Sequence, residues 1–170
     1  MLPTPERRAY MIKKKSKIYQ IDQSGKIEQT ERHTVLACTN GSSTTILLKK
    51  AEKRKLQKLF KTVGIQKLFP YLTFAALLAV LIKVFKPKYK LVIDREYQGH
   101  ENLIEDKLKV YLEDLGVKQA VHIEFDHVGK LSNAHNLAYQ TAMSKRKPDI
   151  MVGANEVMKI ILGTKKVGSA

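Results

Sequence analysis

The hydrophobic period of this chain first switches from strand-like to helical near residue 49, and that change constrains the fold more than any other feature. Before it, short runs rich in β-formers alternate with turn residues; after it, apolar positions recur at helical spacing. Lys17 to Asp22 reads as a strand, with Gln23-Ser24-Gly25-Lys26 as turn residues. Thr34 to Thr39 and Thr44 to Leu48 read as two more, joined by the hairpin signal Asn40-Gly41-Ser42-Ser43. Then Leu56, Leu59, Phe60 and Val63 mark one helix face opposite lysines, ended by Gly64. A mostly apolar helix is expected from about Pro70 to Phe85, closed by Pro87.

Tyr89 to Asp94 is a fourth strand, whose continuous apolar run suits a central position. Ile104, Leu108, Tyr111, Leu112 and Leu115 predict a helix stopped by Gly116, and Ala120 to Phe125 a fifth strand. Ser132 or Asn133 caps a helix bearing Ala134, Leu137, Ala138 and Ala142 on one face, and Pro148-Asp149 breaks it. Ala154 to Leu162 predicts a last short helix. Antiparallel strands followed by β-α-β alternation define an α/β fold with a mixed five-stranded sheet flanked by helices. The expected organisation is a basic arm over 1–14, one domain over 15–148, and a C-terminal helix and short tail over 149–170.

Two of the expected strands end in aspartate: Tyr19-Gln20-Ile21-Asp22 and Lys90-Leu91-Val92-Ile93-Asp94. If the strands are neighbours, the two carboxylates face one another and share a divalent cation. Glu96 points to the same side as Asp94 if that strand continues, because side chains alternate. His100, Glu101, Asp126 and His127 lie near the same strand ends in sequence. The competing reading of Asp94-Arg95-Glu96 is a solvated charge cluster, with Glu101 favouring a helix N-terminus.

Charge decides what such a site would meet. Lysine and arginine outnumber acids 31 to 16, for a net charge of +15. That balance favours polyanionic partners, through counterion release when lysines neutralise phosphates. Candidate nucleic-acid contacts are Lys13, Lys14 and Lys15 in the arm, Lys50, Lys53 and Arg54 on the lysine-rich helix, Lys130, and the run Lys145-Arg146-Lys147. Few aromatics interleave with these lysines, which argues against a base-stacking single-strand platform and for tracking the backbone of a duplex or structured RNA.

The single cysteine, Cys38, lies in a strand run and reads as a small buried thiol. The first twenty residues hold no apolar signal core, so the expected location is the cytoplasm. Leu68 to Ile82 is uncharged, but a membrane span needs about 20 apolar residues and this run is bounded by Lys67 and Lys83. A buried helix, without membrane, is the expectation; a membrane anchor is the alternative.

The order of elements resembles the ribonuclease H-like superfamily, in which the first and fourth strands are adjacent and each carries a metal-binding aspartate. Asp22 and Asp94 stand at the matching places. Ile21-Asp22-Gln23-Ser24-Gly25 is similar to the Asp-Glu-Ser-Gly first-strand motif of an uncharacterised prokaryotic nuclease-like branch, with Gln23 for the glutamate. Ala134-His135-Asn136-Leu137-Ala138-Tyr139 resembles the Ala-Asp-x-x-Ala-Tyr pattern that carries the branch's final acidic ligand, with His135 for the aspartate. The resemblance covers roughly residues 16–145.

It implies a nucleic-acid-binding, Mg²⁺- or Mn²⁺-dependent nuclease with Asp22, Asp94 and His135 as catalytic residues and Asp22, Asp94 and Glu96 as metal ligands. The departures are His135, since Mg²⁺ prefers oxygen ligands, and an apolar 70–84 segment without an acid, for which Glu52 is a substitute. A catalytically inactive binding or scaffold module on the same fold is the alternative.

Overall fold

Strand β1 (Ile18–Ser24) occupies the interior of the sheet, flanked on one side by β2 (Thr34–Thr39) and on the other by β4 (Lys90–Asp94). This arrangement comes from a computed structural model, which describes residues 18–118 and 121–163. The expected arm over 1–14, with Lys13, Lys14 and Lys15, and the tail beyond 163 lie outside the described residues. β3 (Ser43–Leu48), β5 (His122–Asp126) and β6 (Ile150–Val152) complete the order β5-β4-β1-β2-β3-β6. β2 pairs antiparallel with both neighbours, and the β1–β4, β4–β5 and β3–β6 pairs are parallel.

Among the described residues the sheet therefore has six strands, not the expected five. The sixth is three residues long, too short for alternation to reveal it. It is held by Asp149, whose Oδ2 accepts from the Thr45 backbone N–H at 2.9 Å and the Thr45 hydroxyl at 3.1 Å. Residues 149–163, expected as an appended helix and tail, thus add a strand to the sheet, and their helix packs into the main core.

Helices α1 (Lys50–Thr62), α2 (Phe69–Phe85, after a 3-10 turn at Gln66–Leu68), α3 (Glu101–Asp114) and α5 (Ala154–Leu162) contribute to the core on one face. Ile21, Leu36, Cys38, Ile46, Leu91 and Ile93 point into this layer. Helix α4 (Asn133–Ala142) covers the other face of β1, β2 and β3. There Ala138 meets Val35, Ala37 and Leu47, small side chains that let helix and sheet approach closely. With both faces covered, all six residues of β2 are buried. The Cys38 thiol is among them, and burial pushes its pKa up to about 12, as an inert core sulfur requires.

Gln66–Phe85 is long and apolar enough to cross a membrane, with a mean hydropathy of 2.1. Eleven residues of α2 are buried inside the fold. Tyr19 meets Phe85 edge-on and Phe74 contacts Tyr97, so the helix is bound into the core on several sides.

The turn after β1 depends on Gly25, which has φ +77°, and a Cβ there would stand 2.1 Å from the His33 carbonyl oxygen. Its own carbonyl accepts from the Gln23 amide and the Thr34 hydroxyl, both at 2.9 Å. Gly25→Ala must therefore adopt a left-handed backbone, at about 1–2 kcal/mol, and displace a main-chain carbonyl as well. The expected loss exceeds about 2 kcal/mol, or roughly 4–8 °C in Tm; an unchanged thermal melt would contradict it.

Candidate metal centre

The parallel register of β1 and β4 sets Ile21 beside Ile93, so the next residues, Asp22 and Asp94, are neighbours on one face. Asp22 is not a strand-end residue as expected, because β1 continues to Ser24. It is 3% exposed, with the buried Ala37 as its cross-strand neighbour. Asp94 ends β4, where its Oδ1 accepts from the Val128 N–H at 2.8 Å. The loop following β5 is thereby tied to the site.

Glu96 joins the pair. Oxygens of Asp22, Asp94 and Glu96 all lie within 4.8 Å of one another. The position of Glu96 follows from Tyr97, whose buried hydroxyl oxygen accepts from the Ile27 N–H at 3.0 Å and the Gln23 amide at 3.2 Å. Gln23, which stands where the resembled motif has glutamate, thus joins the exit of β1 to the exit of β4. The burial of the Tyr97 ring raises its phenol pKa far out of the physiological range.

His135 completes the cluster from above. Ser132 caps α4 by accepting from the His135 N–H at 3.1 Å, and the imidazole Nδ1 lies 2.7 Å from Asp22 Oδ2. With Nδ1–H donating to the carboxylate, Nε2 remains as the basic nitrogen. Asp22 Oδ1 accepts from the Gln23 N–H at 2.8 Å. Glu52 does not join the site. Its Oε2 accepts from the Ala154 N–H at 2.7 Å and so caps α5, while Oε1 pairs with Lys55.

Crowding of like charge shapes the electrostatics. Burial raises the Asp22 pKa, opposed by the Gln23 and His135 hydrogen bonds and reinforced by Asp94. Glu96 is pushed up to about 7, first by burial and then by Asp94 and Asp22. Three carboxylates converging in this way could hold a cation.

The folded Glu96 value lies above its ordinary 4.5, so the folded chain binds this proton more tightly than the unfolded chain does. The resulting stabilisation is full below pH 4.5 and lost as pH rises through 7. Without divalent cations, Tm is expected to fall between pH 5 and pH 8. Millimolar Mn²⁺ should recover it at pH 8 and have little effect at pH 5. Differential scanning fluorimetry checks this, and an equal Mn²⁺ effect at both pH values would contradict it.

The basic residues divide. Lys50, Arg54, Lys130, Lys145 and Lys147 are exposed, and Arg146 is partly exposed beside Ser43. Lys53 is fully buried, so its expected role in nucleic-acid contact is overturned. Its ammonium donates to the carbonyls of Lys26, Gln29 and Arg32 at 2.9, 2.7 and 2.7 Å. Burial lowers its pKa to about 8 against the opposing pull of Glu31 and Glu28. The signal was in the spacing, since Lys53 stands three residues before Leu56 and seven before Phe60, on the buried face of the helix; only its carbonyl partners are remote in sequence.

A cleft of about 510 Å³ opens beside the acids, with Lys26, Tyr71, Arg95, His100 and His127 among its lining. The His100 ring stacks on Tyr71 with centroids 3.9 Å apart. Arg95 bonds the Phe125 carbonyl at 3.0 Å and reaches Glu101 at 3.5 Å, while Asp126 accepts from the His127 N–H. Of the sequence candidates near the strand ends, His100 and His127 therefore border the site, and Glu101 and Asp126 hold its frame.

These elements define an α/β domain with a three-carboxylate and imidazole cluster at the C-terminal edge of two central parallel strands. No family model, curated protein or solved structure matches the chain.

Proposed function

We propose that this chain is a ribonuclease H-like nucleic-acid-binding protein that hydrolyses phosphodiester bonds with Mg²⁺ or Mn²⁺. The observation that carries the reading is the convergence of Asp22, Asp94 and Glu96 within 4.8 Å, with His135 bonded to Asp22. The placement of β1 beside β4 supports the resemblance, since each contributes an aspartate to one face.

Asp22, Asp94 and Glu96 would hold the cation, which supplies Lewis-acid stabilisation of charge on a phosphoryl oxygen. Asp22 orients the His135 ring through the 2.7 Å Nδ1–Oδ2 contact, as a carboxylate does for an imidazole in a hydrolytic dyad. The Nε2 of His135 is then placed to hold or pass a proton at the edge of the cluster. The surface lysines and arginines supply sequence-independent phosphate contact.

Purified full-length protein incubated with RNA, DNA and hybrid substrates tests the proposal. Cleavage is expected with Mg²⁺ or Mn²⁺ and not in EDTA. Cleavage undiminished in Asp22→Asn would sink the site assignment. The substitution of His135 for a family acid favours a second reading, an inactive binding or scaffold module. Salt-sensitive binding with no hydrolysis under any divalent cation would support that one.

A further inference from the structure

A second groove, of about 570 Å³, borders the same β1 turn as the acid-lined cleft. Its lining includes Ser24, Arg32, His33, Lys50 and Tyr139, with Glu31 as its one acid. It begins beside the acid cluster. Ser24 is two residues beyond Asp22 on one strand, about 7 Å along, and Tyr139 is one helical turn beyond His135, about 6 Å along. Ser24 and Gly25 border this groove and Lys26 borders the other cleft, so the turn leads from one to the other.

Each hollow has the volume of a small-molecule site and suits a single nucleotide, not a duplex. Each also pairs cationic with aromatic groups. Arg32 and Lys50 accompany Tyr139, which is 49% exposed, while Lys26 and Arg95 accompany Tyr71 and His100. In a duplex the base faces are covered by their neighbours, and aromatic rings at these places would meet none. In an unpaired strand the base faces are open to stacking. Tyr139 is distant in sequence from Lys50, so the absence of aromatics within the lysine runs did not reveal this pairing.

We infer that the substrate is an unpaired internal stretch of nucleic acid that crosses the acid cluster from the Tyr139 groove to the Tyr71–His100 cleft. Cleavage is then internal, between a nucleotide seated on each side. The inference rests on the reading of the acid cluster as a phosphodiester site. Tyr139 acts by stacking a base in the groove; Arg32 and Lys50 meet the adjoining phosphates.

Two measurements test it. In EDTA, where binding is read without turnover, fluorescence anisotropy compares labelled oligouridylate and oligothymidylate with a duplex of equal length. Tyr139→Ala is expected to weaken single-strand binding roughly 5- to 150-fold, with duplex binding unchanged and Tyr139→Phe like the parent. An unchanged single-strand affinity, or an equal loss on the duplex, overturns the inference. With Mn²⁺, covalently closed single-stranded circles of DNA and RNA are expected to be linearised. Circles that survive while linear strands shorten from their ends overturn it and leave the metal site standing. A protein that cleaves nothing counts against the phosphodiesterase reading, and the EDTA binding result then decides the groove alone.

Discussion

Lys53→Ala is expected to destabilise the fold by about 3–5 kcal/mol, because three carbonyls lose a charged donor at about 1–3 kcal/mol each while the ammonium's own desolvation cost offsets part of the loss. The side chain is fully buried, and its three donors meet three main-chain carbonyls of the loop between β1 and β2. Alanine leaves those carbonyls without their donor and opens a cavity beneath the loop. Lys53→Met fills most of the volume but restores no hydrogen bond, so it should recover only part of the loss. Against a total stability of about 5–15 kcal/mol the effect is large, and in a domain of this size it corresponds to roughly 6–20 °C in Tm. Urea denaturation measures it. A Lys53→Ala midpoint equal to the parent's would show that the loop does not depend on this ammonium.

Asp94→Asn should produce the largest functional effect, a loss of about 10²–10⁴ in cation-dependent cleavage. That range corresponds to losing about 3–5 kcal/mol of the several that a bound cation supplies. Asparagine keeps an oxygen for the Val128 N–H and nearly the same shape, so the loop after β5 stays in place. The negative charge goes, and with it part of the repulsion that raises the Glu96 and Asp22 pKa values. The cation-free variant should therefore melt no lower than the parent while binding Mn²⁺ more weakly, a trade of function for stability. Calorimetric Mn²⁺ titration alongside single-turnover cleavage separates the two effects. Full activity with weakened folding would place Asp94 among structural residues.

Much of the architecture was legible because local chemistry and global fold agree. The Asn40-Gly41 hairpin, the capping Ser132 and the apolar α2 each announce themselves over a few adjacent residues. Asp22 and Asp94 were legible for the same reason, as acids attached to apolar strand runs. What escaped notice depends on partners far away in the chain. β6 needs β3 in register and Asp149 on Thr45, neither of which alters its own three residues. Glu52 was a candidate ligand until its contact with Ala154, 102 positions on, showed it to be a helix cap. The carbonyl partners of Lys53 at residues 26–32 belong to the same class, although its spacing to Leu56 and Phe60 already puts it on the apolar face of the helix.

The location of the two aspartates on interior strands has a kinetic consequence. Amides of β1 and β4, each hydrogen-bonded to a strand on both sides, should exchange with solvent only when the whole sheet opens. Glu96 lies beyond the end of β4 and His135 in the first turn of α4, segments that open locally at lower cost. The cluster thus joins a pair with global protection to two groups with local protection. A cation that orders it should slow deuterium uptake at residues 95–97 and 132–136 by suppressing local opening, and at Ile21 and Ile93 only as far as it stabilises the whole fold.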